Sequence, residues 1–273
     1  MSTDPRPTKQ QRRDAARQAR IEAEQAQAAA ALRRKRLRTV LVVLGAAAVV
    51  VVIAIVVSSS GGGGAKNRPA AAQKSNGPVP GQRESAAMLD GIPQSGIYLG
   101  KPTAPVRLVE FADLQCPYCA QWSAVAFDDI VEDYVRPGKV RLVFGGLTFL
   151  GPDSERGLRF ALAAGRQGRL WNVVHLLYAN QGAENSGWLD DDVLRRVGQA
   201  TPGLQVDQAL EDASSLPVSD GVEAMGNQAT ALGIQGTPSF AAGRTNGRLA
   251  PVQISSLDAD GLRPALDSLL AGD

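Results

Sequence analysis

Val106-Arg107-Leu108-Val109-Glu110-Phe111-Ala112-Asp113-Leu114-Gln115-Cys116-Pro117-Tyr118-Cys119 changes character halfway along. Val106 to Phe111 reads as a buried strand, aliphatic and β-branched, bounded by Pro105 and by the polar Asp113. Residues 119–135 then put Trp122, Val125, Ala126, Ile130 and Tyr134 at helical spacing. Asp128, Asp129, Glu132 and Asp133 are left for the surface, and Pro137-Gly138 stops the helix. The two cysteines therefore fall at a strand-to-helix turn. Cys116 is expected at the helix start and Pro117 at the first helical position, where its fixed φ suits and its missing N–H is not needed.

These are the only cysteines in the 273-residue chain. A structural bridge across so short a loop would add little, because loop-closure entropy grows with loop length. A zinc site normally takes four ligands, and the single histidine, His175, lies some 56 residues beyond Cys119. No metal and no other cofactor is expected. Redox chemistry uses the turn as it stands. Unpaired N–H groups and the positive end of the helix dipole stabilise a thiolate at Cys116, which becomes the attacking sulfur. Cys119, one turn on and deeper, can reach back to resolve a mixed disulfide.

Outward from this turn, the charge is split along the chain. Residues 1–38 carry eleven Lys or Arg against four acidic residues; residues 85–273 carry fourteen basic against twenty-two acidic, a net of −8. An acidic globular part argues against nucleic acid as its partner, since phosphate binding needs a basic surface. Between the two, Thr39 to Val57 is nineteen residues without charge or proline. At 1.5 Å per residue that spans roughly 28 Å, enough for a bilayer's hydrocarbon core. Arg33, Arg34, Lys35, Arg36 and Arg38 precede it, and only Lys66, Arg68 and Lys74 follow within twenty residues. The positive-inside rule leaves the N-terminus cytoplasmic and exports the rest. A cleaved signal peptide is the rival reading, but its apolar core would be shorter and its basic region shorter than 38 residues. The expected organisation is a cytoplasmic basic tail (1–38) facing anionic lipid, a transmembrane signal-anchor helix (39–57), a flexible linker (58–91) containing Gly61 to Gly64, and an extracytoplasmic α/β domain (92–273).

The strand, the Glu110-to-Cys119 run and the helix resemble the DsbA-like branch of thioredoxin-fold thiol–disulfide oxidoreductases, and a second motif agrees. Gly233-Ile234-Gln235-Gly236-Thr237-Pro238-Ser239-Phe240 looks like that family's loop into a cis-proline and the next strand. Between the motifs, after a second strand near 140–144, the segments 154–167, 169–180, 190–199 and 219–232 read as amphipathic helices, with a shorter one at 206–213. Together they make a helical insertion, about 150–233, that a plain thioredoxin lacks. Arg248–Ile254 and Leu257–Leu270 supply the last strand and helix, with a hairpin turn at Gly243 to Gly247.

The resemblance implies roles for particular residues. Thr237 and a cis Pro238 would pair with an extended substrate segment, and Pro117 and Tyr118 would tune the redox potential. The strongest oxidant of the family has His where this chain has Tyr118, which leaves the direction of electron flow open. Glu110 would sit buried beside the dithiol and relay a proton to or from Cys119, its pKa raised by desolvation. His175, Trp171 and Tyr178 read more simply as packing residues of an insertion helix, and Asp190-Asp191-Asp192 as a helix N-terminus. The activity implied is formation or exchange of disulfides in cysteine-containing exported proteins, with a membrane redox partner. A reductase or isomerase, or a tethered binding module without turnover, are the alternatives.

Overall fold

The computed structural model describes residues 77–272. The basic tail, the predicted span at Thr39–Val57 and the linker as far as residue 76 lie outside the described residues. Among the described residues no helix is long and apolar enough to cross a membrane.

The two strands flanking the dithiol helix, β3 (Val106–Ala112) and β4 (Val140–Gly146), pair in parallel, with Glu110 opposite Phe144. Parallel neighbours need a crossover, which the helical segment between them provides. That segment is not the single helix expected over 119–135. It divides into α2 (Pro117–Val125), α3 (Phe127–Ile130) and a π-helical turn, Val131–Val135. The break falls at Ala126, whose φ of −126° departs from helical values. Trp122, Ala126, Ile130 and Tyr134 are buried on either side of it, while Val125, just before it, is 52% exposed, against expectation.

Strand β5 (Ser239–Arg244) pairs antiparallel with β3 on its other edge, and β6 (Ala250–Val252) pairs with β5. Two short strands absent from the sequence reading, β1 (Gln94–Ser95) and β2 (Tyr98–Leu99), form a hairpin against β4. The order across the sheet is β1-β2-β4-β3-β5-β6. The hairpin strands are too short for alternation to show. They are fixed from outside: the Gln94 amide donates to Asn172 Oδ1 at 2.8 Å, and the Trp171 indole donates to the Ile97 carbonyl at 3.2 Å.

The insertion is helical, as expected: α4 (Pro152–Arg166), α5 (Leu170–Ala179), α6 (Asp191–Ala200), α7 (Val206–Asp212) and α8 (Leu216–Ala231). Asp190 caps α6 by accepting from the Val193 N–H at 2.9 Å. Gly233, with φ +68°, ends α8 in the left-handed conformation glycine tolerates. The C-terminal segment is shorter than predicted, a 3-10 turn (Ala259–Gly261) followed by α9 (Arg263–Ala271), because Asp258 caps the turn through Gly261 N–H.

Residues on β3 alternate between two apolar layers. Val106, Leu108 and Ala112 face the larger core under α2 and the insertion; Val109 and Phe111 face a smaller one that includes Val143, Ala229 and Ala241. By the two-residue period, Glu110 points into the larger core. A further correction concerns the linker. Gln82–Leu89 is a helix, α1, and Val79, Leu89 and Ile92 are buried in the main core. Its Arg, Glu and Ser residues disguise it in the sequence. Arg136 holds its C-terminal end, donating to the Met88 and Asp90 carbonyls at 2.6 and 3.0 Å.

Candidate active site

Cys116 is the N-cap of α2 and Pro117 begins the helix. The backbone turns there because the Asp113 carbonyl accepts from Cys116 N–H at 3.0 Å, and the Cys116 carbonyl accepts from Cys119 and Ala120 N–H at 3.1 and 3.2 Å. Both cysteines carry free thiols, Cys116 at 5% exposure and Cys119 at 0%. Tyr118 projects outward at 61%.

The surroundings separate the two thiols chemically. A hydrogen bond from Cys119 is the largest influence on Cys116, joined by the Thr237 hydroxyl and the N–H groups of Cys119 and Tyr118; against some desolvation, they bring Cys116 down to about 6. The Cys116 thiol also lies 3.3 Å from the Thr237 carbonyl, to which it donates. That carbonyl favours the thiol and the hydroxyl favours the thiolate, so the two sides of Thr237 act in opposite senses. Burial pushes the Cys119 thiol far above its ordinary range, and the Cys116 and Glu110 charges add to it.

The peptide bond between Thr237 and Pro238 is cis, as the resemblance implied. Thr237 lies against the dithiol although it is 121 positions beyond Cys116 in the chain. Glu110, 1% exposed, is pushed up to about 8 by burial, and its Oε1 has no hydrogen-bond partner. Trp122 packs on Phe240 of β5 with ring centroids 5.1 Å apart, tying α2 to the strand that follows the cis-proline.

The turn is also held by residues that sequence reasoning did not single out. Asp113 is fully buried, and its carboxylate accepts from Gln115 N–H at 2.9 Å, Leu150 N–H at 3.0 Å and the Ser154 hydroxyl at 2.6 Å. Gln115 donates to the Leu150 carbonyl and the Ser154 hydroxyl, both at 3.0 Å, and accepts from Asn185 N–H at 2.8 Å. From the end of α5, the Gln181 amide donates to the Leu114 and Cys116 carbonyls at 2.9 and 3.1 Å, and the Tyr178 hydroxyl to the Asp113 carbonyl at 3.3 Å. Asp113 could have been found, since an Asp two residues before a turning N–H is an Asx-turn pattern. Gln181 carries no such signal. Gly157 allows the close approach of α4, because a Cβ there would collide with Leu114 and Leu189.

His175 lies on α5 with its ring centroid 5.7 Å from that of Phe127, and Trp171 and Tyr178 are buried core residues, as expected. A broad surface depression of about 680 Å³, lined by Pro102–Pro105 and Arg244–Gly247, sits at the opposite end of β3 from the dithiol. Among the described residues, no group of three or more His, Cys, Asp or Glu side chains could hold a metal ion.

Residues 93–259 match the protein family described as Thioredoxin. The chain is 33% identical over 175 residues to a probable disulfide bond formation protein D of Bacillus cereus, covering 63% of this chain and 77% of that one. Among solved structures, oxidised BdbD from Bacillus subtilis superimposes with a TM-score of 0.57 at 23% identity, covering 66% of this chain and 99% of that one. A thioredoxin-like oxidoreductase from Silicibacter pomeroyi gives a TM-score of 0.50 at 30% identity, covering 68% of this chain and 95% of that one.

Proposed function

Since the chain belongs to the thioredoxin family and is a thiol–disulfide oxidoreductase, we propose that Cys116 and Cys119 are its exchanging pair and that it forms disulfides in exported proteins. The observation that carries this is the chemical asymmetry of the pair. Cys116 is pulled down to about 6 at a helix N-cap, beside a buried Cys119 pushed strongly up. A thiol of low pKa is a good leaving group and, as thiolate, a ready nucleophile.

A substrate thiolate attacks Cys116 of the oxidised pair. The new bond joins the substrate sulfur to Cys116, the Cys116–Cys119 bond breaks, and its electron pair goes to Cys119. Buried, Cys119 needs a proton, and Glu110, held near 8, is the neighbour able to give one. A second substrate thiolate then attacks its own sulfur in the mixed disulfide and releases Cys116. The backbone at Thr237, with cis Pro238 beside it, would pair with the extended substrate around its cysteine. Pro117 and Tyr118 would set the potential.

The likeness to a protein named for disulfide bond formation supports the oxidising direction. Reoxidation would come from a membrane redox partner. The apolar run Thr39–Val57 and the basic cluster before it support a single-pass anchor, with a cytoplasmic N-terminus and the domain outside. Thiol trapping in intact cells tests the direction: the account expects Cys116 and Cys119 predominantly as the disulfide, and a predominantly reduced pair would favour the reductase or isomerase instead. Cys116→Ser should abolish oxidation of a reduced substrate protein during refolding; undiminished turnover would remove Cys116 from the reaction.

A further inference from the structure

Glu110 lines a small cavity together with side chains of α2, α3 and α5. It is lined by Glu110, Trp122, Ser123, Phe127, Trp171, Val174, His175 and Tyr178. Its free volume of about 10 Å³ matches the room one water molecule needs. Three buried polar atoms of its lining residues have no hydrogen-bond partner: Glu110 Oε1, Trp122 Nε1 and His175 Nδ1. Leaving buried polar atoms unsatisfied is costly, so three on residues that line one small space call for a common partner. A water there would find the two to four polar neighbours that buried waters have.

His175 continues the line outward. Its Nε2 lies 4.0 Å from the Asp128 carboxylate, which is largely exposed. One ring nitrogen is therefore near solvent, while the other, on a different edge of the ring, is buried. The groups bearing on the imidazole are Asp128 from α3, Glu84 from α1, Glu110 from β3 and Tyr178 from its own helix. Burial lowers its pKa, and Asp128 and Glu84 partly oppose this. A neutral imidazole has one nitrogen to accept a proton and one to donate it.

The geometry points to His175 and the one-water cavity as the path by which Glu110 exchanges its proton with solvent. This rests on the reading of Glu110 as the proton donor to Cys119. When Cys119 leaves Cys116 and takes the Glu110 proton, the carboxylate is refilled through the cavity water from His175 Nδ1, and Nε2 recovers a proton from solvent beside Asp128. When Cys119 attacks, the proton travels the other way. No electron moves along this path. His175 touches none of the reacting sulfurs and acts only through Glu110, as a positioning residue for the proton.

The test is the single-turnover rate at which the oxidised full-length chain, in detergent, forms its mixed disulfide with a cysteine-containing peptide, between pH 5.5 and 8.5. His175→Phe keeps a ring against Phe127 and removes both nitrogens. It should slow the step about tenfold and change its pH profile, while alkylation of the reduced variant still shows Cys116 titrating near 6. His175→Ala should be slowed likewise and recover as imidazole is added, which a merely structural defect would not do. An unchanged rate and profile in His175→Phe, or no recovery of His175→Ala with imidazole, overturns the path. Glu110→Gln separates this from the underlying reading. If it slows the step while His175→Phe does not, the path alone falls. If Glu110→Gln has no effect, the reading of Glu110 falls and the path with it.

Discussion

Glu110 is held where its charge is costly, and the cost appears as a pH dependence of folding. Its folded pKa of about 8 lies above the 4.5 of the exposed group. Between those values the folded chain keeps a proton that the unfolded chain has released, so stability falls as pH rises through that window. The loss begins near 4.5 and is complete above about 8. With the cysteines joined as a disulfide they do not titrate, and His175, whose pKa burial lowers, contributes alike to parent and variant. In denaturant unfolding of the oxidised protein, Glu110→Gln should thus lack the fall in stability with pH that Glu110 gives the parent. It should be more stable than the parent above pH 8 by a few kcal/mol. Equal slopes in both would mean that Glu110 is solvated. The residues alone left this position open, because a carboxylate on an apolar strand is either edge-exposed or buried, and burial was implied only by the family resemblance. Only the pairing of β3 on both sides, with β4 and β5, decides it.

At the scale of elements, the insertion braces the dithiol turn as well as covering the sheet. Asp113 joins the turn to the start of α4, and Gln181 joins it to the end of α5. Asp113→Ala leaves Gln115 N–H, Leu150 N–H and the Ser154 hydroxyl without their acceptor and should cost about 3 kcal/mol. Gln181→Ala frees two carbonyls and should cost about 1 kcal/mol. Unfolding midpoints in denaturant check both, and a loss from Asp113→Ala below that of Gln181→Ala would contradict this ranking. The helices of the insertion were legible because each carries an apolar stripe at helical spacing. The bracing was not, since polar contacts across 35 to 67 residues leave no periodic trace. The break at Ala126 was hidden for another reason: a stripe through Trp122, Ala126, Ile130 and Tyr134 reads the same whether or not the helix is continuous.

For the whole molecule, the packed domain takes in residues that composition assigns to a linker. Val79, Leu89 and Ile92 join the main core, and Arg136 pins α1. A chain starting at residue 92 should be less stable than one starting at residue 77 by roughly 3–6 kcal/mol, from two buried side chains. Equal thermal midpoints would show α1 to be an ornament. The proposed anchor predicts that the full-length protein sediments with membranes and resists salt extraction. Removing residues 39–57 should release it, and sedimentation unchanged by that deletion would argue against a span there.

The proposed exchange reaction depends on one asymmetry between two sulfurs. The most direct test is the rate of iodoacetamide alkylation of the reduced full-length chain from pH 4 to 10, with the labelled residue identified by mass spectrometry. The account predicts a single label at Cys116 with a midpoint near pH 6, and Cys119 unmodified throughout. A midpoint near 9, the value of an ordinary thiol, or labelling of Cys119 first, would contradict it.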